Sequence, residues 1–324
     1  MRLAAAVAFT VACVCACACR GERGGARPAA SAASGAVTPG SPSPDAPVAV
    51  ELPGEPRVAR EPTPLHDAAQ AGDLAQIRAL LDGGADLEAI ETTYRHTPLL
   101  YALEFGEPEA AMLLLQRGAS TAEEIGTRAL LLAARGGADE VIEALLARGV
   151  PAKGTFALHA AAKYGHARAV ERLLAAGEPV DEVEPADRWT ALTVACMENR
   201  LDAVRVLLAA GASVKALDDD GNMPLHWAVF GARPVEIHVY AELGKPHDTF
   251  YRRQVGAPIV ELLLARGAPI DARDGDGDTA LHRAVMYGAA NAVEALLARG
   301  ADRAAKNRDG KTALELATAR GHAD

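Results

Sequence analysis

From residue 63 onward the chain keeps returning to one short phrase, and no other feature restricts its possible folds so tightly. Thr63-Pro64-Leu65-His66 comes first, with Ala68-Ala69 and Gly72 behind it, and Thr97-Pro98-Leu99-Leu100 follows. Variants recur at Ala129-Leu130-Leu131, Ala157-Leu158-His159, Thr190-Ala191-Leu192, Pro224-Leu225-His226, Thr279-Ala280-Leu281-His282 and Thr312-Ala313-Leu314. A second phrase alternates with the first: a Leu-Leu pair shortly before Gly84, Gly118, Gly149, Gly177, Gly211, Gly267 and Gly300. Counted at the Thr position, the spacings are 34, 31, 28, 34, 33, 56 and 33.

Each phrase has a local physical meaning. Proline in a first helical turn lacks only a donor that would be orphaned there, and the preceding Thr can cap. Leu and the paired Ala three and four positions on make a narrow stripe that lets helices approach closely. The Leu-Leu phrase reads as a second, antiparallel helix, stopped by a glycine that tolerates positive φ. Asp220-Gly221, Asp276-Gly277 and Asp309-Gly310 read as hairpin turns between one helix pair and the next. No single pair can cover its own apolar face, so stacking must create the core. The period and the T-P-L-H phrase resemble the ankyrin repeat, over residues 63–324. The resemblance implies an all-α solenoid of helix pairs joined by β-hairpin-like loops, with about seven full repeats and a shortened eighth.

Composition agrees. Aromatics make up 4 % of the chain, too few for a sandwich or barrel core. Net charge is −10, from 43 acids against 33 bases, which argues against a nucleic-acid surface.

Three irregularities stand out. Short spacings predict stunted fingers at 120–128 and 150–156. The 56 spacing predicts an insertion at about 232–256, inside the sixth repeat, carrying His238, Tyr240, His247, Tyr251, Arg252 and Arg253. The eighth repeat ends at Asp324 after one helix, which would leave the preceding pair partly unshielded.

The first 62 residues differ in kind. Residues 1–19 combine Arg2, an apolar run and four cysteines. The sixteen-residue, largely apolar run at 3–18 spans about 24 Å at helical rise, short of a ~30 Å bilayer core, so the segment reads as an export signal. Val14-Cys15-Ala16-Cys17 and Ala16-Cys17-Ala18-Cys19 resemble the bacterial lipobox, without its usual Leu. Cys17 or Cys19 is the expected lipidation site; cleavage without lipidation and a retained anchor are the alternatives. Residues 20–62 hold eight prolines, six glycines and four serines, with five bases against five acids, and read as a disordered tether. The expected location is therefore periplasmic or at the outer membrane.

Little in the sequence points to chemistry. His66, His159, His226 and His282 read as structural bridges between neighbouring fingers. Asp274, Asp276 and Asp278 begin like a calcium loop, but Thr279 and Val285 stand where Gly and Glu are required. His238 and His247 match no compact zinc spacing. Cys196 reads as a core filler. Neither a nucleophile elbow, a P-loop nor an H-E-x-x-H motif is present. No enzyme, cofactor or metal is expected.

What remains is binding. In each repeat the residue after the His position and the two before glycine should line the inner helix. Six of the twelve aromatics beyond the signal fall on those positions, far more than an even spread would place there. The expected partner-binding residues on this concave face are Tyr101, Glu104, Phe105, Lys163, Tyr164, Met197, Trp227, Phe230, Arg283, Met286 and Tyr287. The sequence thus points to a monomeric module for a protein partner. An immunity or inhibitor protein for an exported toxin or enzyme, and a purely structural envelope scaffold, are the alternatives.

Overall fold

The computed structural model describes residues 61–92, 94–232, 235–238, 250–253 and 257–320. The export segment with Cys17 and Cys19, the tether as far as residue 60, and Tyr240 and His247 of the insertion lie outside the described residues.

Fifteen described helices alternate between inner and outer members of pairs. The inner helices are α1 (Pro64–Gln70), α3 (Pro98–Phe105), α5 (Glu123–Gly136), α7 (Ala157–Tyr164), α9 (Ala191–Met197), α11 (Pro224–Gly231), α13 (Ala280–Met286) and α15 (Ala313–Ala319). Their outer partners are α2 (Leu74–Asp82), α4 (Pro108–Gln116), α6 (Asp139–Ala147), α8 (Ala167–Ala175), α10 (Leu201–Ala209), α12 (Pro258–Ala265) and α14 (Ala290–Ala298). Among the described residues no helix is long and apolar enough to cross a membrane.

The repeated phrase does the local work its chemistry suggests. Thr63, Thr97, Thr190, Thr279 and Thr312 all sit as N-caps with extended backbone. Thr312 Oγ1 accepts the Glu315 N–H, and a Glu315 carboxylate oxygen accepts the Thr312 N–H at 2.7 Å, closing a reciprocal cap. Small residues let neighbouring inner helices touch: Ala69, Ala102, Ala133, Ala134, Ala161, Ala162 and Ala195 are fully buried. Leu65, Leu99, Leu130, Leu158, Leu192 and Leu225 fill the layer beside them. The outer helices contribute Ile77, Leu114, Leu145, Leu173, Leu207, Leu263 and Leu296. Each buried Leu or Ile stabilises the stack by roughly 1.5–3 kcal/mol relative to exposure.

The fingers between pairs are joined tip to tip. Asp219 N–H donates to Asp187 O (3.4 Å), Gly275 N–H to Asp220 O (2.7 Å) and Arg308 N–H to Asp276 O (3.2 Å). Gly275 is required by this closeness, since a Cβ there would collide with the Asp220 carbonyl.

One irregularity comes out differently from the sequence reading, and the insertion, placed as expected, gains detail. Residues 120–128 do not form a stunted finger. Instead α5 begins at Glu123 and runs for 14 residues, so helix replaces most of that connection. Glu124, an acid in the first turn, suits a helix N-terminus. Gly126 permits the tight approach to the Thr121 carbonyl and the Val150 side chain. The insertion is not wholly irregular either: β1 (Val235–His238) pairs antiparallel with β2 (Phe250–Arg253), Val235 opposite Arg253 and His238 opposite Phe250. These strands are the described departure from an otherwise all-helical plan. Leu314 of α15 is 72 % exposed, whereas its counterpart Leu281 one repeat earlier is 3 % exposed.

Candidate partner-binding face

The side formed by the inner helices and fingers carries the candidate residues, and the structure sorts them into three groups.

Around α3, Tyr101 is buried, at 7 % exposure. Its ring stands edge-on to His66 (4.9 Å) and His96 (5.9 Å) and lies 5.7 Å from Phe105. Tyr101 therefore serves as packing, and Phe105, 50 % exposed, is the ring open to solvent. Glu104 is held by Arg135 at 2.9 Å.

At mid-stack, Tyr164 is 38 % exposed and stacks on His166, whose Nε2 reaches the Arg135 carbonyl at 3.0 Å. Lys163 and Met197 are half-buried at the ends of α7 and α9. The Lys163 carbonyl accepts from Arg200 Nε at 2.9 Å.

Further along, four rings make one continuous row. Trp189 meets Trp227 at 5.5 Å and 72°, Trp227 meets Phe230 at 5.9 Å and 81°, and Phe230 meets Tyr287 at 5.1 Å and 83°. All are edge-to-face, the arrangement ring quadrupoles favour. Each of the four is half-buried, so part of each ring faces solvent. The row links the finger before α9 to α11 and the end of α13. Trp189 and its finger lay outside the sequence pattern, because the residue before the Thr marker was not among the positions read for binding.

Arg283 is not a free contact. Its Nε donates to Asp274 Oδ2 at 2.7 Å, and its Nη2 lies 2.6 Å from Asp274 and 3.1 Å from Asp276. Burial is the largest influence and opposes the charge, but the hydrogen bond and negative charge of Asp274, together with Tyr287, outweigh it in sum and raise the guanidinium pKa. The position after the His is thus spent on its own finger. Met286 is half-buried one turn on.

The same contacts account for the three clustered acids. Asp274 Oδ1 accepts the Asp276 and Asp278 N–H groups, both at 2.9 Å, and Asp278 Oδ1 accepts Asn307 Nδ2 at 2.9 Å. The carboxylates lie within 4.8 Å of one another, with Arg283 already serving as their cation. The cluster works as a finger-tip turn.

His66, His226 and His282 bridge fingers. Nδ1 of His226 accepts the Met223 N–H at 3.0 Å, so Nε2 carries the proton and donates to the Ala272 carbonyl at 3.1 Å. His66 reaches the His96 carbonyl at 3.0 Å and His282 the Lys311 carbonyl at 3.1 Å. His159 is the exception. Its Nε2 reaches the Trp189 carbonyl at 3.0 Å, but Phe156 replaces the capping Thr, at φ 56°, and Nδ1 is buried without a partner. Beside it, Glu178 occupies a buried position that holds Ala or Val in six other repeats. One of its oxygens accepts the Leu158 N–H at 3.2 Å, the other is unpartnered, and burial pushes its pKa up to about 7. Cys196 is fully buried, which pushes the thiol pKa up and away from nucleophilic use.

Comparison with known proteins gives a consistent picture. Family models described as ankyrin repeats match residues 49–125, 120–182 and 158–237, and a further one matches 256–317. The human ASB11 ankyrin repeat domain has a similar structure, with TM-score 0.59 and 28 % identity over 74 % of this chain and 99 % of that one. The Arabidopsis thaliana E3 ubiquitin-protein ligase KEG is 32 % identical over 117 residues, 32 % of this chain. A Caenorhabditis elegans transient receptor potential cation channel subfamily A member 1 homolog is 37 % identical over 87 residues, 26 % of this chain. Each of these two matches takes in 7 % of the relative's length, so the likeness is to a short segment within a much larger protein.

Proposed function

The chain belongs to the ankyrin-repeat family, and from that premise we propose that it is a non-enzymatic module that holds a protein partner on its concave, inner-helix face. Ankyrin repeats are protein–protein interaction modules, and the fold is generally a non-enzymatic scaffold. The observation that supports this face over the outer helices is the row Trp189–Trp227–Phe230–Tyr287. Half-buried rings on a rigid frame supply contact area at small entropic cost, as partner hot spots do. Phe105 and Tyr164 extend the same side. The test is differential capture. Partners retained by the full chain should be lost with Phe230→Ala at matched folded concentration and kept with Glu109→Gln on the outer helix α4. Equal capture by both variants would contradict the assignment.

The setting proposed for this binding is the bacterial envelope, with the module exported and tethered through a lipid on Cys17 or Cys19. The lipobox-like runs and the Pro/Gly/Ser-rich stretch support it. Mass spectrometry of the mature N-terminus should find a diacylglyceryl cysteine. A free N-terminus beyond residue 20 in a soluble fraction would remove the anchor.

A further inference from the structure

The ring row is bordered by carboxylates. The fingertips beside it carry Asp187, Asp219, Asp220 and Asp276, all exposed, and the backbone bonds between tips hold them in one line. Three of the bases nearby are engaged locally, and Arg308, exposed on the next fingertip, is a fourth. Arg283 is bound to Asp274 and Asp276, Arg188 lies 3.9 Å from Asp219, and Arg273 donates to the Gly277 carbonyl at 3.0 Å. Among the described residues no ion pair reaches Asp187 or Asp220. The aromatic strip and its rim therefore present π-surface and negative charge together.

We infer that this part of the face recognises an extended, arginine-bearing segment of the partner, with guanidinium groups set between the rings and the fingertip carboxylates. The inference rests on the partner-binding reading of the inner-helix face and adds the chemistry of what binds there. Arginine fits better than lysine because its planar head can lie on an aromatic face while forking to a carboxylate. The geometry also sets a period. Neighbouring helices pack about 8–10 Å apart and an extended strand advances about 3.3 Å per residue, so every third residue comes level with the next finger. An acidic partner segment would meet like charge across the strip.

The test uses the full chain and three fluorescein-labelled twelve-residue peptides: Arg-Ser-Gly repeated four times, the same peptide with citrulline for arginine, and the same with glutamate. Anisotropy titrations are run at low and high salt. The arginine peptide should bind at least tenfold more tightly than the other two and weaken as salt rises. Asp187→Asn with Asp220→Asn should weaken it at least fivefold, and Phe230→Leu should weaken it too. Glu109→Gln with Glu171→Gln, on the outer helices, removes as much charge and should leave it unchanged. Circular dichroism confirms that each variant is folded. Equal affinity for arginine and citrulline peptides, or equal loss in the fingertip and outer-helix pairs, overturns the inference. A native partner captured through Phe230 yet indifferent to Asp187→Asn/Asp220→Asn and to salt also overturns it, while leaving the partner-binding reading intact.

Discussion

The Trp227 indole Nε1 donates to Asp218 Oδ2 at 2.8 Å, tying an inner helix to the finger that leads into it. Arg283 makes the same reach, also nine residues back, to Asp274. In both fingers the acid's other oxygen accepts two backbone N–H groups of its own turn, Asp220 and Asn222 for Asp218, Asp276 and Asp278 for Asp274. One carboxylate thus shapes the turn and fixes the ring or guanidinium that stands beside the face.

Trp227→Phe keeps a ring in place but removes the donor from a buried carboxylate. A hydrogen bond to a charged group is worth about 1.5–3 kcal/mol, so the urea midpoint should fall by an equivalent amount. Asp218→Asn should lose less in the Trp227→Phe background than in the parent, since the two share one interaction. Strict additivity of the two losses would show that the bond contributes nothing.

Glu178 should make stability fall as pH rises. Its carboxyl has a folded-state pKa raised from 4.5 to about 7, so between those values the folded chain holds a proton the unfolded chain has lost. The penalty is complete above the folded pKa, and at 1.36 kcal/mol per unit it comes to roughly 3 kcal/mol. His66, His159 and His226, their pKa values lowered by burial, act in the opposite sense: stability is full above about 6.5 and declines as pH falls. Comparing the parent with Glu178→Gln at pH 5 and pH 8 isolates the carboxyl. The parent should lose more stability over that interval, and parallel curves would contradict the assignment.

The two leucines of one register position should behave in opposite ways. Leu281→Ala opens a buried site and should cost about 2–5 kcal/mol. Leu314→Ser, at a 72 % exposed position, should stay within about 0.5 kcal/mol of the parent. Thermal melts of the two variants check this directly.

Replacing residues 233–254 with a short Gly-Ser turn should leave the melting temperature nearly unchanged. Ala232 and Ala257, both buried, remain, and loop-closure entropy varies slowly with length. A fall of many degrees would show that the insertion is part of the core.

The repeat was legible because its signals are local: Thr caps, Pro starts and a Leu/Ala stripe each report on a few adjacent residues. What escaped depends on pairs across the period. Asp218 and Trp227 belong to different phrases, and only the nine-residue offset, repeated at Asp274 and Arg283, could have joined them. Tyr101 sits on a binding-type position but is enclosed by His66 and His96 from neighbouring elements, which no single-helix reading reveals. The helical run from Glu123 was hidden because a short spacing looks the same whether a finger shrinks or a helix takes its place. Glu178 was visible in principle, as an acid in a column of Ala and Val.

Which face binds the partner decides the function proposed for this chain. The most direct measurement is the affinity of the purified native partner for the parent, for Phe230→Ala and for Glu109→Gln, with the folded fraction of each determined alongside. Binding through the ring row predicts a loss of about 2 kcal/mol, roughly 30-fold, for Phe230→Ala and none for Glu109→Gln. Unchanged affinity in Phe230→Ala, with the loss falling on Glu109→Gln, would contradict binding through the inner-helix face.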